Sequence, residues 1–233
     1  MKKKIIVWFI FLIGSVCAAT PQLECEKKWG EIEFQGKRVM RYRLRANHFP
    51  AGKRYRLFVK WFNGEEADTF YYTANQRGHL ILEEQRKKDP LYALCPLKKG
   101  ERISFLMKSA DDPSSYTETS LVPFPITKKT KNGLKLAVEL LGQDGDLFRV
   151  CAAGFCSGEV IELSTLFQDK QEHYRVIASS QGVVDFPIKL DLIDRDGGQC
   201  LLTFKRSKEE VQLSFDAGRA ALAYAGGFVL EIK

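Results

Sequence analysis

The sequence predicts an all-β protein made of two tandem β-sandwich domains. Two observations lead to this prediction. Short segments in which apolar and polar residues alternate recur along the chain, and the turn motifs between them return about a hundred residues later. Alternation with period two is what a strand with one buried face requires. Strands that recur together with their turns indicate one architecture used twice.

The internal repeat is visible in turn glycines and in the apolar residues around them. The paired segments are 49–52 with 155–158, 61–64 with 166–169, 73–78 with 177–182, and 99–109 with 197–207. The spacing between partners shortens along the chain, as expected of two copies that have changed in loop length. The shared residues define a scaffold, so we expect functional differences where the copies diverge.

Alternation is clearest in two segments of the first half. Every second residue of 40–46 is Arg, and every second residue of 54–61 is Tyr, Leu, Val or Trp. Shorter candidates for strands are 71–73, 79–82, 103–107, 116–122, 136–140, 148–152, 160–166, 174–177, 183–188, 201–204, 211–215 and 221–232. Helical periodicity is strongest in 82–94, where Pro90 interrupts it.

Each half has about seven short strands, separated by turns at regular intervals. The order is a strand, a Phe-x-x-Gly turn, an aromatic strand, an Ala-x-x-x-Gly hairpin and a late strand that begins at Gly. In this order each half resembles the bacterial immunoglobulin-like or fibronectin-III-like modules of exported proteins. The resemblance implies an immunoglobulin-like sandwich for each half and no particular activity.

The first residues have the composition of a secretory signal peptide. The basic segment 2–4 precedes the apolar run 5–13, and small residues follow up to Ala18 and Ala19. We therefore expect residues 1–19 to be a cleaved signal. The apolar run is shorter than the roughly 20 residues that a spanning helix needs. No transmembrane span is expected after cleavage; a retained segment is the alternative.

The predicted domain boundary lies in 123–133, which is rich in Pro, Lys and turn-forming residues. Domain 1 is expected at 20–127, a linker at 128–133 and domain 2 at 134–233. Residues 20–127 carry 19 basic and 14 acidic side chains, whereas residues 132–233 carry 11 and 15. This asymmetry is either a chance distribution that favours solubility, or a sign that the halves attract each other or that the first meets an anionic partner.

The strongest candidate for recognition is a set of cations on two consecutive predicted strands. Its members are Arg41, Arg43, Arg45, Arg54, Arg56 and Lys60. If the two strands share a sheet, the cations form one patch; if they lie in opposite sheets, the patch is divided. Arginine binds carboxylates and phosphates well, so the expected partner is an envelope protein or an anionic envelope polymer. A solvated sheet face is the simpler interpretation.

Nucleic acid is not expected as a partner, because no regular set of aromatic residues accompanies the cations. The sequence also contains no H-E-x-x-H, G-x-S-x-G, Walker or dinucleotide-binding motif. The histidines His48, His79 and His173 are far apart in the chain. We therefore expect no cofactor and no enzymatic activity.

Five cysteines follow the signal segment, and export permits each of them to form a disulfide. They are Cys25, Cys95, Cys151, Cys156 and Cys200. Because five is odd, at least one thiol is free or pairs with another chain. Cys151 and Cys156 are spaced too widely for the usual zinc knuckle, so no metal is expected.

Taken together, these features favour an exported, non-enzymatic binding or structural/assembly protein of a bacterial envelope, periplasmic or at the cell surface. One alternative is a periplasmic chaperone-like protein that accepts a client strand at an open sheet edge. The other is an envelope enzyme with a site between the domains, built from groups such as His79, His173 and Glu162.

Overall fold

A computed structural model of the protein describes residues 20–34, 37–83, 91–192, 196–206 and 209–232. The predicted signal peptide, 1–19, lies outside these residues. The chain is all-β, as the alternating sequence predicts, and the described ranges contain no α-helix. Accordingly, no helix within them is long and apolar enough to cross a membrane.

The strands are β1 (Gln22–Phe34), β2 (Lys37–Asn47), β3 (Arg54–Trp61), β4 (Glu66–Ala74), β5 (Leu80–Leu82), β6 (Leu91–Lys98), β7 (Ile103–Ser109), β8 (Tyr116–Leu121), β9 (Ile126–Lys129), β10 (Lys135–Leu140), β11 (Leu147–Ala153), β12 (Val160–Phe167), β13 (Lys170–Ile177), β14 (Val183–Lys189), β15 (Gly198–Arg206), β16 (Glu209–Ala217) and β17 (Tyr224–Ile232). A 3-10 turn, Gly218–Ala220, precedes β17.

These strands form four sheets around two hydrophobic cores. The sheets β1-β2-β17-β6 and β5-β4-β3-β7-β8 enclose one core, and we call them the first unit. The sheets β14-β11-β10-β9 and β13-β12-β15-β16 enclose the other core and form the second unit. The immunoglobulin-like topology of the units stays a prediction, as do the domain boundaries drawn from the sequence.

Period-two alternation determines which side chains enter each core. In the first unit Leu44 on β2, Leu57 on β3 and Phe105 on β7 are completely buried. In the second unit Phe148 is completely buried, and its ring centroid lies 4.7 Å from that of Phe215 on the facing sheet. Burial of one such side chain stabilises the fold by about 1.5–3 kcal/mol.

The repeated turns have the same geometry in both units. The amide of Phe49 donates a hydrogen bond to the carbonyl of Gly78, and the amide of Phe155 donates one to Gly182, each at 3.2 Å. Both glycines have positive φ, 76° and 70°. A Cβ on Gly182 would lie 2.1 Å from the Phe155 carbonyl oxygen, so only glycine fits. At this turn the repeat in sequence is also a repeat in structure.

Strand β17 does not follow the tandem order of the chain. It comes after the second unit, yet it lies in the first, parallel to β2 over 227–232 and antiparallel to β6 over 224–230. Leu230 on β17 is completely buried in the first unit's core. In the second unit the strands in the corresponding places, β11 and β14, pair directly with each other. The sequence predicted a strand at 221–232 but grouped it with the second half.

The two units meet through main-chain and charged contacts. The Leu140 amide donates to the Gly100 carbonyl at 2.9 Å. Nη2 of Arg102, from the basic first half, lies 2.7 Å from both carboxylate oxygens of Glu139 in the acidic second half. A cleft of about 480 Å³ at this junction is lined by residues from both units, among them Tyr224 on β17 of the first unit and Asp216 on β16 of the second.

Candidate functional site: the outer face of the five-stranded sheet

The six cations predicted to form a recognition stripe lie on two different sheets. Arg41, Arg43 and Arg45 belong to β2 in the four-stranded sheet of the first unit, and Arg54, Arg56 and Lys60 belong to β3 in its five-stranded sheet. Of the two arrangements that the sequence left open, the structure therefore has the divided one. That these cations bind an anion stays a prediction.

Carboxylates pair with the arginines of β3. Nη2 of Arg54 lies 2.7 Å from Oε2 of Glu83, and Arg56 forms an ion pair with Asp68. The hydroxyl of Thr73 donates a second hydrogen bond to Glu83 at 2.7 Å. The hydrogen bonds from Arg54 and Thr73 hold the pKa of Glu83 below its ordinary value. The positive charge of this face is thus largely balanced within the molecule.

Aromatic rings stack against the same cations. The guanidinium carbon of Arg54 lies 3.8 Å from the ring centroid of Tyr71, and that of Arg56 lies 4.9 Å from the same centroid. On the neighbouring strand β7, Nζ of Lys108 lies 4.4 Å from the centroid of Phe58. Contacts of this kind are worth about 0.5–1 kcal/mol each at exposed sites. Rings and cations therefore hold one another in place.

We call this surface the Arg–aromatic face. It consists of Arg54, Arg56, Phe58, Tyr71 and Lys108 with the carboxylates Glu66, Asp68 and Glu83. Nζ of Lys108 lies 2.6 Å from Oε2 of Glu66, and Lys60 is opposite Glu66 in the strand register. Tyr116, 55% exposed, pairs with Lys108 across β7 and β8 and extends the face.

The Arg–aromatic face has a residue composition that is typical of protein interfaces. Arginine and tyrosine are enriched at protein interfaces and at their energetic hot spots. A polyanion needs uncompensated positive charge, whereas the arginines and Lys108 of this face are each paired with a carboxylate. A protein partner can exchange those ion pairs and stack on the rings.

Sequence reasoning missed Tyr71, Lys108 and the three carboxylates of this face. The register between β3 and β4 shifts between Arg56 and Phe58, so simple alternation along β4 does not show which residues face the arginines. Lys108 reaches the face because β7 pairs with β3, a contact between distant segments. Tyr71 lies within the predicted strand 71–73. The signal that the sequence offered for it was its residue type, since tyrosine is enriched at protein interfaces.

Two of the β2 cations, Arg41 and Arg45, have partners, and Arg43 lies between carboxylates in the strand register. Nη2 of Arg45 lies 2.9 Å from Oε2 of Glu26 on β1. Arg43 is opposite Glu26 and, on its other side, Glu231 of β17 in the strand register. Arg41 has an interaction partner as well.

The histidines and Glu162 are distributed over both units. His48 and His79 are exposed in the first unit, and His173 is exposed on β13 of the second, opposite Ser164. Glu162 is opposite Arg175 on β13 and Lys205 on β15. The cleft between the units is lined by other residues. Among the described residues, no group of three or more His, Cys, Asp and Glu is placed to hold a metal ion.

The four cysteines with described side chains, Cys25, Cys151, Cys156 and Cys200, are free thiols. The side chain of Cys95 lies outside the described residues, so a disulfide that involves it stays a prediction. Burial raises the pKa of Cys25 and Cys200 to about 12, which makes both poor nucleophiles. Cys156 is exposed beside Arg206, whose Nη2 lies 3.7 Å from its sulfur.

Comparison with known proteins gives no family for this chain. No protein-family model matches the sequence, and no curated protein matches it. One solved structure that it resembles is a tetra-tandem repeat in the extending region of a large adhesion protein. The match has a TM-score of 0.29 and 9% identity, and covers 86% of this chain and 50% of that chain. The chain thus spans half the length of that structure, and a likeness this distant carries no argument about function.

Proposed function

We propose that the protein is an exported, non-enzymatic binding and assembly protein of the bacterial envelope, and that the Arg–aromatic face is its docking surface for an envelope protein. The observation that supports this most is the pairing of Arg54 and Arg56 with both Tyr71 and nearby carboxylates. Such an arrangement fixes large, amphipathic side chains at the surface before a partner arrives, which lowers the entropy cost of binding.

The scaffold beneath the face supports the same proposal. The strand β3 that carries the arginines buries Leu57 and Val59 on its opposite side, so its outer residues project from a packed sheet. A binding site on a rigid sheet is held more accurately than one on loops. Export is proposed from the basic and apolar segments within residues 1–19.

The chaperone-like alternative would use a sheet edge rather than an interior position. The position between β2 and β6 is occupied by the chain's own β17, and β5, β8, β9 and β13 are among the strands that lie at sheet edges. The enzyme alternative would need convergent catalytic groups, whereas His79 and His173 belong to different units.

The test is crosslinking of the tagged full chain in its native envelope, followed by co-purification and identification of the partner. Tyr71→Ala combined with Arg54→Ala should abolish capture of that partner. The matched control is Arg45→Ala, which removes an ion-paired arginine from the other sheet. Circular dichroism and thermal unfolding check that each variant is folded.

Two results would count against the proposal. If the Tyr71/Arg54 variant still captures the same partner at the wild-type level, the Arg–aromatic face is not the docking surface. If the captured material is an anionic polymer with no protein, the partner class is wrong.

A further inference from the structure

We propose that the position between β2 and β6 is a strand-exchange site, in which the β17 of a second copy of this chain replaces the copy's own β17. The result is a strand-swapped assembly, with a dimer as its smallest form. The proposal concerns association of the chain with itself and is independent of docking at the Arg–aromatic face.

The site is defined by backbone groups on both sides. On one side residues 227–232 of β17 pair with 39–44 of β2, and on the other side β17 pairs with β6. If β17 leaves, both neighbouring strands present unpaired N–H and C=O groups, and the space of buried Leu230 empties. The first unit therefore requires an occupant at this position, whether from its own chain or from another.

Strand β17 is attached to the second unit rather than to the first. The Gly218 amide donates to the Gly145 carbonyl at 2.7 Å, and Ala217 and Ala221 are buried in the second unit's core. From there the chain passes to Tyr224 through a short turn, in which the amides of Leu222 and Ala223 donate to carbonyls three residues back at 3.1 and 3.2 Å. Strand β17 is therefore an extension of the second unit, which we call the arm, and we call the position that it fills between β2 and β6 the slot.

The arm reaches its own slot only while the two units keep their present junction. That junction includes the Arg102–Glu139 ion pair and the hydrogen bond from Leu140 to Gly100. When it opens, the second unit carries β17 away from its own slot and toward that of a neighbouring copy. The contacts within the slot are then the same, and short hinges of this kind favour exchange.

A second copy fits this slot better than an unrelated client strand. The occupant must run parallel to β2 and antiparallel to β6 at once, with irregular register on the β6 side between Tyr224 and Gly226 and between Gly226 and Phe228. Only β17 from another copy is certain to repeat that combination. A fixed register on both sides of the occupant is expected for exchange of β17, whereas general addition of a client strand does not require it.

The test uses the register pair Lys98 and Tyr224, which are opposite each other on β6 and β17. Full-length Lys98→Cys and Tyr224→Cys chains, carrying different tags, are co-expressed, oxidised and purified through both tags in sequence. Exchange predicts a disulfide between chains that joins positions 98 and 224, identified by mass spectrometry in a dimeric or larger fraction. In the chain with both substitutions, the closed form traps this bond within one chain and the exchanged form traps it between two chains, so exchange predicts that both products are found.

A collision control replaces Lys98→Cys with Ile81→Cys, which is exposed on β5 and distant in the strand order. Exchange is overturned if the doubly substituted chain forms its internal bond while the mixed single variants give only unlinked monomers. It is also overturned if Ile81→Cys links to position 224 as efficiently as Lys98→Cys. Failure of the doubly substituted chain to form any bond between positions 98 and 224, within or between chains, would refute the β6–β17 pairing on which the proposal depends.

Discussion

Glu101 is a carboxylate held almost completely out of water beside the junction of the two units, with 2% of its surface exposed. It accepts a hydrogen bond from the Lys98 amide at 2.8 Å, and its backbone bridges to Leu140 of the second unit. Burial raises its pKa above the ordinary value of 4.5, although the hydrogen bond and the charge of Lys98 oppose that shift. The role of the buried carboxylate is to accept the hydrogen bond of the Lys98 backbone amide.

Replacing Glu101 with Gln should remove this pH dependence while keeping an acceptor for the amide. Because the pKa of Glu101 is raised by folding, its contribution to stability is complete at a pH below its pKa in the unfolded chain. That contribution is lost as the pH rises through its pKa in the folded protein. We therefore expect Glu101→Gln to unfold at the same or a higher temperature than the wild type at pH 7, and to gain nothing at pH 4. Thermal unfolding across this pH range is the measurement; a variant that is less stable at pH 7 than at pH 4, relative to wild type, would show that the charge is favourable.

At the scale of elements, β3 and β4 combine cations, carboxylates and rings on one exposed sheet face. Asp68 and Glu83 determine how much positive charge this face presents, because they pair with Arg56 and Arg54. The pairs are partly exposed and contribute little to stability. Their effect should be on recognition instead.

Asp68→Asn with Glu83→Gln should therefore strengthen retention on an anionic matrix, since two arginines lose their internal partners. Lys53, which pairs with Asp111 away from this face, offers the matched control Asp111→Asn. Salt elution of folded protein measures the effect, and we expect later elution for the double variant than for the control. Equal elution of the two would mean that the arginines are not available to an external anion even when released.

The element β17 should stabilise the first unit, although it follows the second unit in the chain. Leu230→Ala should lower the free energy of unfolding by about 2–5 kcal/mol, as is typical of a buried leucine. The matched control is Ile81→Ala, 47% exposed on β5 of the same unit, for which we expect a change within about 0.5 kcal/mol. Denaturant unfolding followed by the fluorescence of Trp29 on β1 and Trp61 on β3 reports the first unit. Similar changes in the free energy of unfolding for the two variants would show that Leu230 does not belong to that core.

For the whole molecule, local sequence pattern predicted the scaffold better than its connections. The bounds of β3 agree with the alternation of 54–61, because one face of that strand is buried and the other is charged. Strand β6 was missed, since Leu91–Lys98 is apolar throughout its first half and does not alternate, and 82–94 was instead the best helical candidate. Its part from Leu91 onward is strand.

The position of β17 and the composition of the Arg–aromatic face could not be predicted for a related reason. Both depend on pairing between segments far apart in the chain: β17 with β2 and β6, and β7 with β3. Alternation shows that a segment is a strand and which of its residues share a face, but it does not identify the neighbouring strand. For the same reason, alternation did not show that the six cations are divided between two sheets.

Strand β17 completes the sheet of the first unit and so ties the end of the second unit back into the first. Amide hydrogen exchange of the full-length native chain, read peptide by peptide, tests this most directly. We expect amides within 227–232 to be protected as strongly as those of β2, and Leu230→Ala to speed the exchange of β2 and β6 together. Exchange of 227–232 at the rate of an unstructured peptide, with β2 still protected, would contradict this expectation.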